Sequence, residues 1–129
     1  MKATILVSVS IILSGCSVAA RSPETYRDET KQILATKNTE ILACYDAVLK
    51  SSPTAQGRVT VKFNVETEQG RISHVVVDKA NTSAPDPVSD CVTKSIDGLM
   101  LVPPDARKGE ATWVYVFTAP PSAENPGKT

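Results

Sequence analysis

Three cysteines, Cys16, Cys44 and Cys91, are the residues of this chain best suited to covalent chemistry. Cys16 ends a run that starts at Lys2, stays uncharged from Ala3 to Leu13 and closes on the small residues Ser14 and Gly15. That is the pattern of a secretory signal, and its apolar part is too short to span a bilayer as a helix. Export places the rest of the chain in an oxidising compartment, so a disulfide between Cys44 and Cys91 is the leading expectation. Two free thiols or a redox-active pair are the alternatives. Redox cysteines usually lie close in sequence at a helix N-terminus, which stabilises the thiolate, and these two do not. His74 is the single histidine and has no companion ligands for a metal. Asp86 and Asp90 read as caps of a helix rather than an acid–base pair. No serine sits in a nucleophile elbow, and no glycine-rich loop could cradle a phosphate. No catalytic residue, metal or cofactor is therefore expected.

The motif Leu13-Ser14-Gly15-Cys16 resembles the lipobox of bacterial lipoproteins. The resemblance implies that residues 1–15 are removed, that the Cys16 thiol carries a diacylglyceryl group and that the new N-terminus is acylated, typically with palmitate. One acyl chain holds a protein only marginally, whereas two or three make attachment effectively permanent. Residues 16–22 are then the lipidated cysteine and a linker, Ser17 to Ser22, reaching about 20 Å at full extension. Ser17 stands where Asp would favour inner-membrane retention in enteric-type sorting. The expected location is thus the cell envelope, at the outer membrane facing the periplasm. An ordinary cleaved signal with a chance cysteine is the alternative.

Without its signal the chain has length for one small domain. Lys2 leaves with the signal, so 13 basic residues face 14 acidic ones. No basic block suits nucleic acid.

Ser22-Pro23-Glu24 is a helix start, with a Ser cap, Pro in the first turn and an acid at the positive end of the dipole. The segment to Gln32 is polar apart from Tyr26. Leu34, Ile41, Leu42, Tyr45, Val48 and Leu49 then form one apolar stripe at helical spacing, ended by Ser51-Ser52-Pro53. Arg58 to Glu66 alternates, with Val59, Val61, Phe63 and Val65 on one face of a strand. Glu68-Gln69-Gly70 turns the chain into a second strand, Arg71 to Asp78. Asp86-Pro87 opens another helix, striped by Val88, Val92, Ile96 and Leu99, and Gly98 suits its end. Pro103-Pro104 forces an extended turn. Glu110 to Thr118 is the third strand, with Trp113, Tyr115 and Phe117 on one face as core or as an exposed binding surface. Residues 120–129 read as a disordered tail.

The order α-β-β-α-β gives an α+β fold: a two-layer sandwich in which two helices cover one face of a three-stranded antiparallel sheet. A right-handed crossover from the second strand to the third favours the order 2-1-3, with the third strand at an edge. The two helices then run antiparallel. Cys44 and Cys91 lie on the same edge of their stripes, and antiparallel helices turn those edges toward each other.

The segment from about Thr36 to Ala119 resembles the TonB C-terminal-like superfamily, nearest to the AgmX/PglI C-terminal type of gliding-motility proteins. The likeness rests on Ile41-Leu42-Ala43-Cys44-Tyr45-Asp46-Ala47-Val48-Leu49, Gly57-Arg58-Val59-Thr60-Val61-Lys62-Phe63, Gly70-Arg71-Ile72, Asp90-Cys91-Val92 and Val114-Tyr115-Val116-Phe117. It places a TonB C-terminal-like domain at 23–119 and implies protein binding in the periplasm, in a motility or other envelope complex. In such domains a partner's segment joins the third strand by β-augmentation. Carried over by position, the binding residues are Thr112, Trp113, Val114, Tyr115, Val116, Phe117 and Thr118. The chain departs from energy-transducing relatives in two ways. It lacks their Pro-rich arm, and Gly98-Leu99-Met100 replaces the aromatic residue common after the second helix. A static adaptor near a membrane fits better than a transducer. A thiol-redox enzyme using Cys44 and Cys91 and a structural lipoprotein contacting cell wall are the competing functions.

Overall fold

Ser22 caps the first helix: its Oγ accepts a hydrogen bond from the Thr25 backbone N–H at 3.2 Å, and Pro23 sits in the first turn. In this computed structural model, which describes residues 20–120, helix α1 spans Pro23–Ala35 and helix α2 spans Asn38–Ser51. The signal at 1–15, Cys16 and the tail from residue 121 lie outside the described residues.

The sequence predicts a single helix where the structure has two. The break falls at Thr36-Lys37, where Thr36 Oγ1 donates to the Ile33 carbonyl at 2.6 Å and the Lys37 N–H to the Leu34 carbonyl at 3.0 Å. Thr36, Asn38 and Thr39 are poor helix formers, and a threonine hydroxyl competes for the carbonyls that would continue the helix. The element order is therefore α-α-β-β-α-β, not α-β-β-α-β. Leu34 of α1 and Ile41 and Tyr45 of α2 nonetheless enter one core.

The strands are β1 (Gly57–Val65), β2 (Ile72–Val77) and β3 (Gly109–Phe117), with helix α3 (Asp86–Ile96) between β2 and β3. The sheet order is β2-β1-β3, and both pairs are antiparallel, as the crossover argument expects. The result is a small α+β fold with a three-stranded antiparallel sheet and three helices. Val59, Val61, Phe63 and Val65 of β1 are each 2 % exposed or less and join Val88, Val92 and Ile96 of α3 in the core. Alternation along β1 produces this burial.

The aromatic row resolves by register. Val59 faces Tyr115, Val61 faces Trp113 and Gly57 faces Phe117, and directly opposed residues share a sheet face. Trp113, Tyr115 and Phe117 therefore lie on the core side. Phe117 is buried with its ring 4.9 Å from that of Tyr45, while Trp113 and Tyr115 are half-buried. The α3 start also differs from expectation. Pro85 holds the cap position, and Asp86 instead accepts from Lys79 Nζ at 2.6 Å. Gly98, at φ +82°, follows the helix as a left-handed stop. At Gly70 (φ +64°) an added Cβ would lie 2.0 Å from the Leu101 carbonyl oxygen, so only glycine lets the β1–β2 turn seat the loop after α3.

Candidate functional site

The two outer edges of the sheet are unlike: at β2 the start is covered, with Ile72 bonded to Gly98 and Leu99, and the rest is bulged. Along β2, Lys62 faces Val76 and Asn64 faces Ser73, so Phe63 opposes two residues, His74 and Val75. This is a β-bulge, and His74 takes the left-handed φ of +51° that accommodates it. His74, within the strand expected from Arg71 to Asp78, is an exposed bulge residue, with Nδ1 3.1 Å from Ser73 Oγ and 3.7 Å from Glu66 Oε1. The Ser73 hydroxyl, donating at 2.6 Å, holds the Glu66 carboxyl below its usual range despite partial desolvation. A bulge twists an edge and interrupts the row a new strand would need.

The β3 edge is regular. It pairs with β1 one-for-one from Gly109 to Phe117 without a register shift. The direction of its backbone groups follows from β1. The Arg58 carbonyl accepts from Ser83 and Ala84, the Thr60 carbonyl accepts from Asp78, and the Thr60 N–H donates to Thr82. Even-numbered β1 residues thus point away from β3, and odd-numbered ones point toward it. Their partners Ala111, Trp113 and Tyr115 bond back to β1, leaving the N–H and C=O groups of Glu110, Thr112, Val114 and Val116 directed outward. Among the described residues no strand pairs with that side. Val114 and Val116 are 49 % and 74 % exposed. Six of the seven residues carried over by position therefore lie on β3, split between core-side aromatics and outward-facing Thr112, Val114 and Val116. Thr118 falls just past the strand end.

A groove of about 470 Å³ runs beside the start of this edge, between α1 and β3. Tyr26, Val65 and Trp113 form its apolar floor, and Arg27, Arg107 and Lys108 stand at its rim. The Tyr26 ring lies over Gly109, where an added Cβ would come within 2.8 Å of it, and its hydroxyl donates to the Arg107 carbonyl at 3.2 Å. Burial, reinforced by the nearby Asp105 carboxylate, pushes the Tyr26 phenol up. Burial alone raises the Tyr115 phenol to about 12, and its hydroxyl has no hydrogen-bond partner among the described residues.

Beneath the groove lies a clasp that sequence reasoning missed. Arg21, read as linker, is bound to the domain. Its backbone N–H donates to Asp105 Oδ2 at 2.7 Å, its guanidinium reaches Glu29 and the Pro103 carbonyl, and Arg107 donates back to the Arg21 carbonyl at 2.6 Å. Asp105 is 1 % exposed and also accepts from the Arg107 N–H at 2.9 Å. Burial would raise its carboxyl, but the donors from Arg21 and Arg107 outweigh that and hold it below the usual range.

Cys44 and Cys91 are joined, with Cα atoms 5.6 Å apart, and tie α2 to α3. Cys91 is 2 % exposed and Cys44 faces solvent. The pair lies on helices α2 and α3 and not on β3. Among the described residues no group of three or more metal-ligating side chains occurs and no helix is long and apolar enough to cross a membrane. No family model, curated protein or solved structure matches this chain.

Proposed function

We propose that this chain is a lipid-anchored protein of the cell envelope, tethered through Cys16 to the outer membrane facing the periplasm. Its domain is a two-layer α+β sandwich of TonB C-terminal-like type that binds another envelope protein by adding a strand to β3. The observation that carries the reading is the contrast between the sheet edges: β2 is bulged at His74, whereas β3 offers an unbroken outward row from Glu110 to Val116. The half-buried Trp113 and the groove beside it give such a strand an apolar pocket next to its backbone bonds. The cysteine pair acts as a staple, not as a redox centre.

Proline substitution tests this with little risk to the fold. The N–H groups of Val114 and Val116 point away from β1, so proline there removes an outward donor and spares the ladder. Val116→Pro is expected to weaken capture of the partner, read as a crosslinked adduct in the native cell, by tenfold or more. Unchanged capture by a variant that still melts cooperatively would sink the edge-strand reading.

A further inference from the structure

We infer that the loop from Met100 to Lys108 is the end of the domain that faces the bilayer, where Val102 and Met100 rest among the lipid headgroups. The inference builds on the proposed anchor at Cys16. The clasp is what converts an anchor into an orientation. Because Arg21 is fixed to Asp105, Pro103 and Arg107, only Ser17, Val18, Ala19 and Ala20 separate the lipidated cysteine from a rigid point. Those residues span about 18 Å at full stretch. A domain of this size is roughly 35 Å across, so the leash cannot pass around it to let the opposite end touch the membrane.

The residues beside the clasp suit that position. Val102 is 75 % exposed and precedes Pro103, whose carbonyl accepts from the Arg21 guanidinium at 2.6 Å. Met100 is 44 % exposed and pairs across the turn with Arg71. Arg71, Arg107 and Lys108 are all exposed, and they outnumber the two acids of the neighbouring turn, Glu66 and Glu68, of which Glu66 lies near Lys108. Exposed apolar side chains among cations fit an anionic headgroup layer, with the acyl anchor holding the protein and the loop setting its tilt. The strand β3 starts at this end and carries Phe117 roughly 27 Å from Gly109. Its open edge therefore runs outward from the membrane.

The test uses the full-length lipidated protein in vesicles of phosphatidylethanolamine and phosphatidylglycerol with brominated acyl chains. The chain has one tryptophan, so Trp113→Phe provides a silent background. In it, Val102→Trp fluorescence is expected to fall at least twofold relative to unbrominated vesicles, while Val116→Trp at the far end of β3 is unchanged. Equal quenching at both sites, or none at Val102 in protein that floats with the vesicles, overturns the orientation alone. Mature protein whose intact mass carries no acyl group on Cys16 overturns the anchor itself, and the orientation with it.

Discussion

Replacing Cys44 and Cys91 together with alanine is expected to lower the unfolding free energy by about 4 kcal/mol. The crosslink closes a loop of 47 residues, and the chain-entropy model assigns a loop of that length about 4 kcal/mol. Small domains are stable by only about 5–15 kcal/mol in total, so the double variant should sit close to its unfolding threshold. Exposure separates the crosslink from packing. Cys44 faces solvent and its truncation removes little buried surface, whereas Cys91 is buried between α2 and the core. Cys44→Ala alone should therefore lose nearly the full amount. Urea unfolding checks this, with a midpoint roughly 3 M lower than wild type. A loss under about 1 kcal/mol would mean that the helices are held by packing and that the staple is incidental.

The second large effect is at the clasp. Asp105→Ala should cost about 3 kcal/mol, because it leaves the backbone N–H groups of Arg21 and Arg107 without their acceptor and takes one carboxylate from the nearly buried Arg21 guanidinium, which keeps Glu29 and the Pro103 carbonyl. The same carboxylate makes stability depend on pH with a definite sign. Its folded pKa lies below its unfolded value, so its contribution is fully present above about pH 4 and is lost as pH falls through the lowered folded value. Asp105→Asn keeps the shape and part of the hydrogen bonding but removes the charge. That variant should be less stable than wild type at pH 7 and should lose less stability between pH 5 and pH 3. Parallel acid limbs for the two proteins would show that Asp105 is not the titrating group. Loss of the clasp also lengthens the leash, so the variant should lose the fixed orientation before it loses the fold.

Most of the fold could be read from local pattern because most of its elements are local. The valine alternation of β1, the stripes of α2 and α3 and the turn at Gly70 each depend on residues within one element. The strand order followed from the handedness of one crossover. The break between α1 and α2 did not show, because Leu34 and Ile41 keep helical spacing across it while weak propensity at Thr36 to Thr39 works unseen. The bulge did leave a trace: the apolar parity slips between Ile72 and the pair Val75 and Val77, as an extra residue requires. The clasp left none. Arg21 and Asp105 are 84 residues apart, and neither has a neighbour pattern that names the other. The edge position of β3 followed from the crossover and its docking role from a resemblance, whereas its outward-facing residues emerged only from the hydrogen bonds of Arg58 and Thr60.

The claim that β3 is the docking edge is tested most directly by a photocrosslinking amino acid placed singly along the strand in the native cell. Thr112, Val114 and Val116 are the outward positions, and Leu42, 56 % exposed on α2, is an apolar control outside the sheet. The expected result is one adduct of common mass from the three β3 positions and none from Leu42. An adduct from Leu42 with none from β3 would contradict it and move the partner to the helical face.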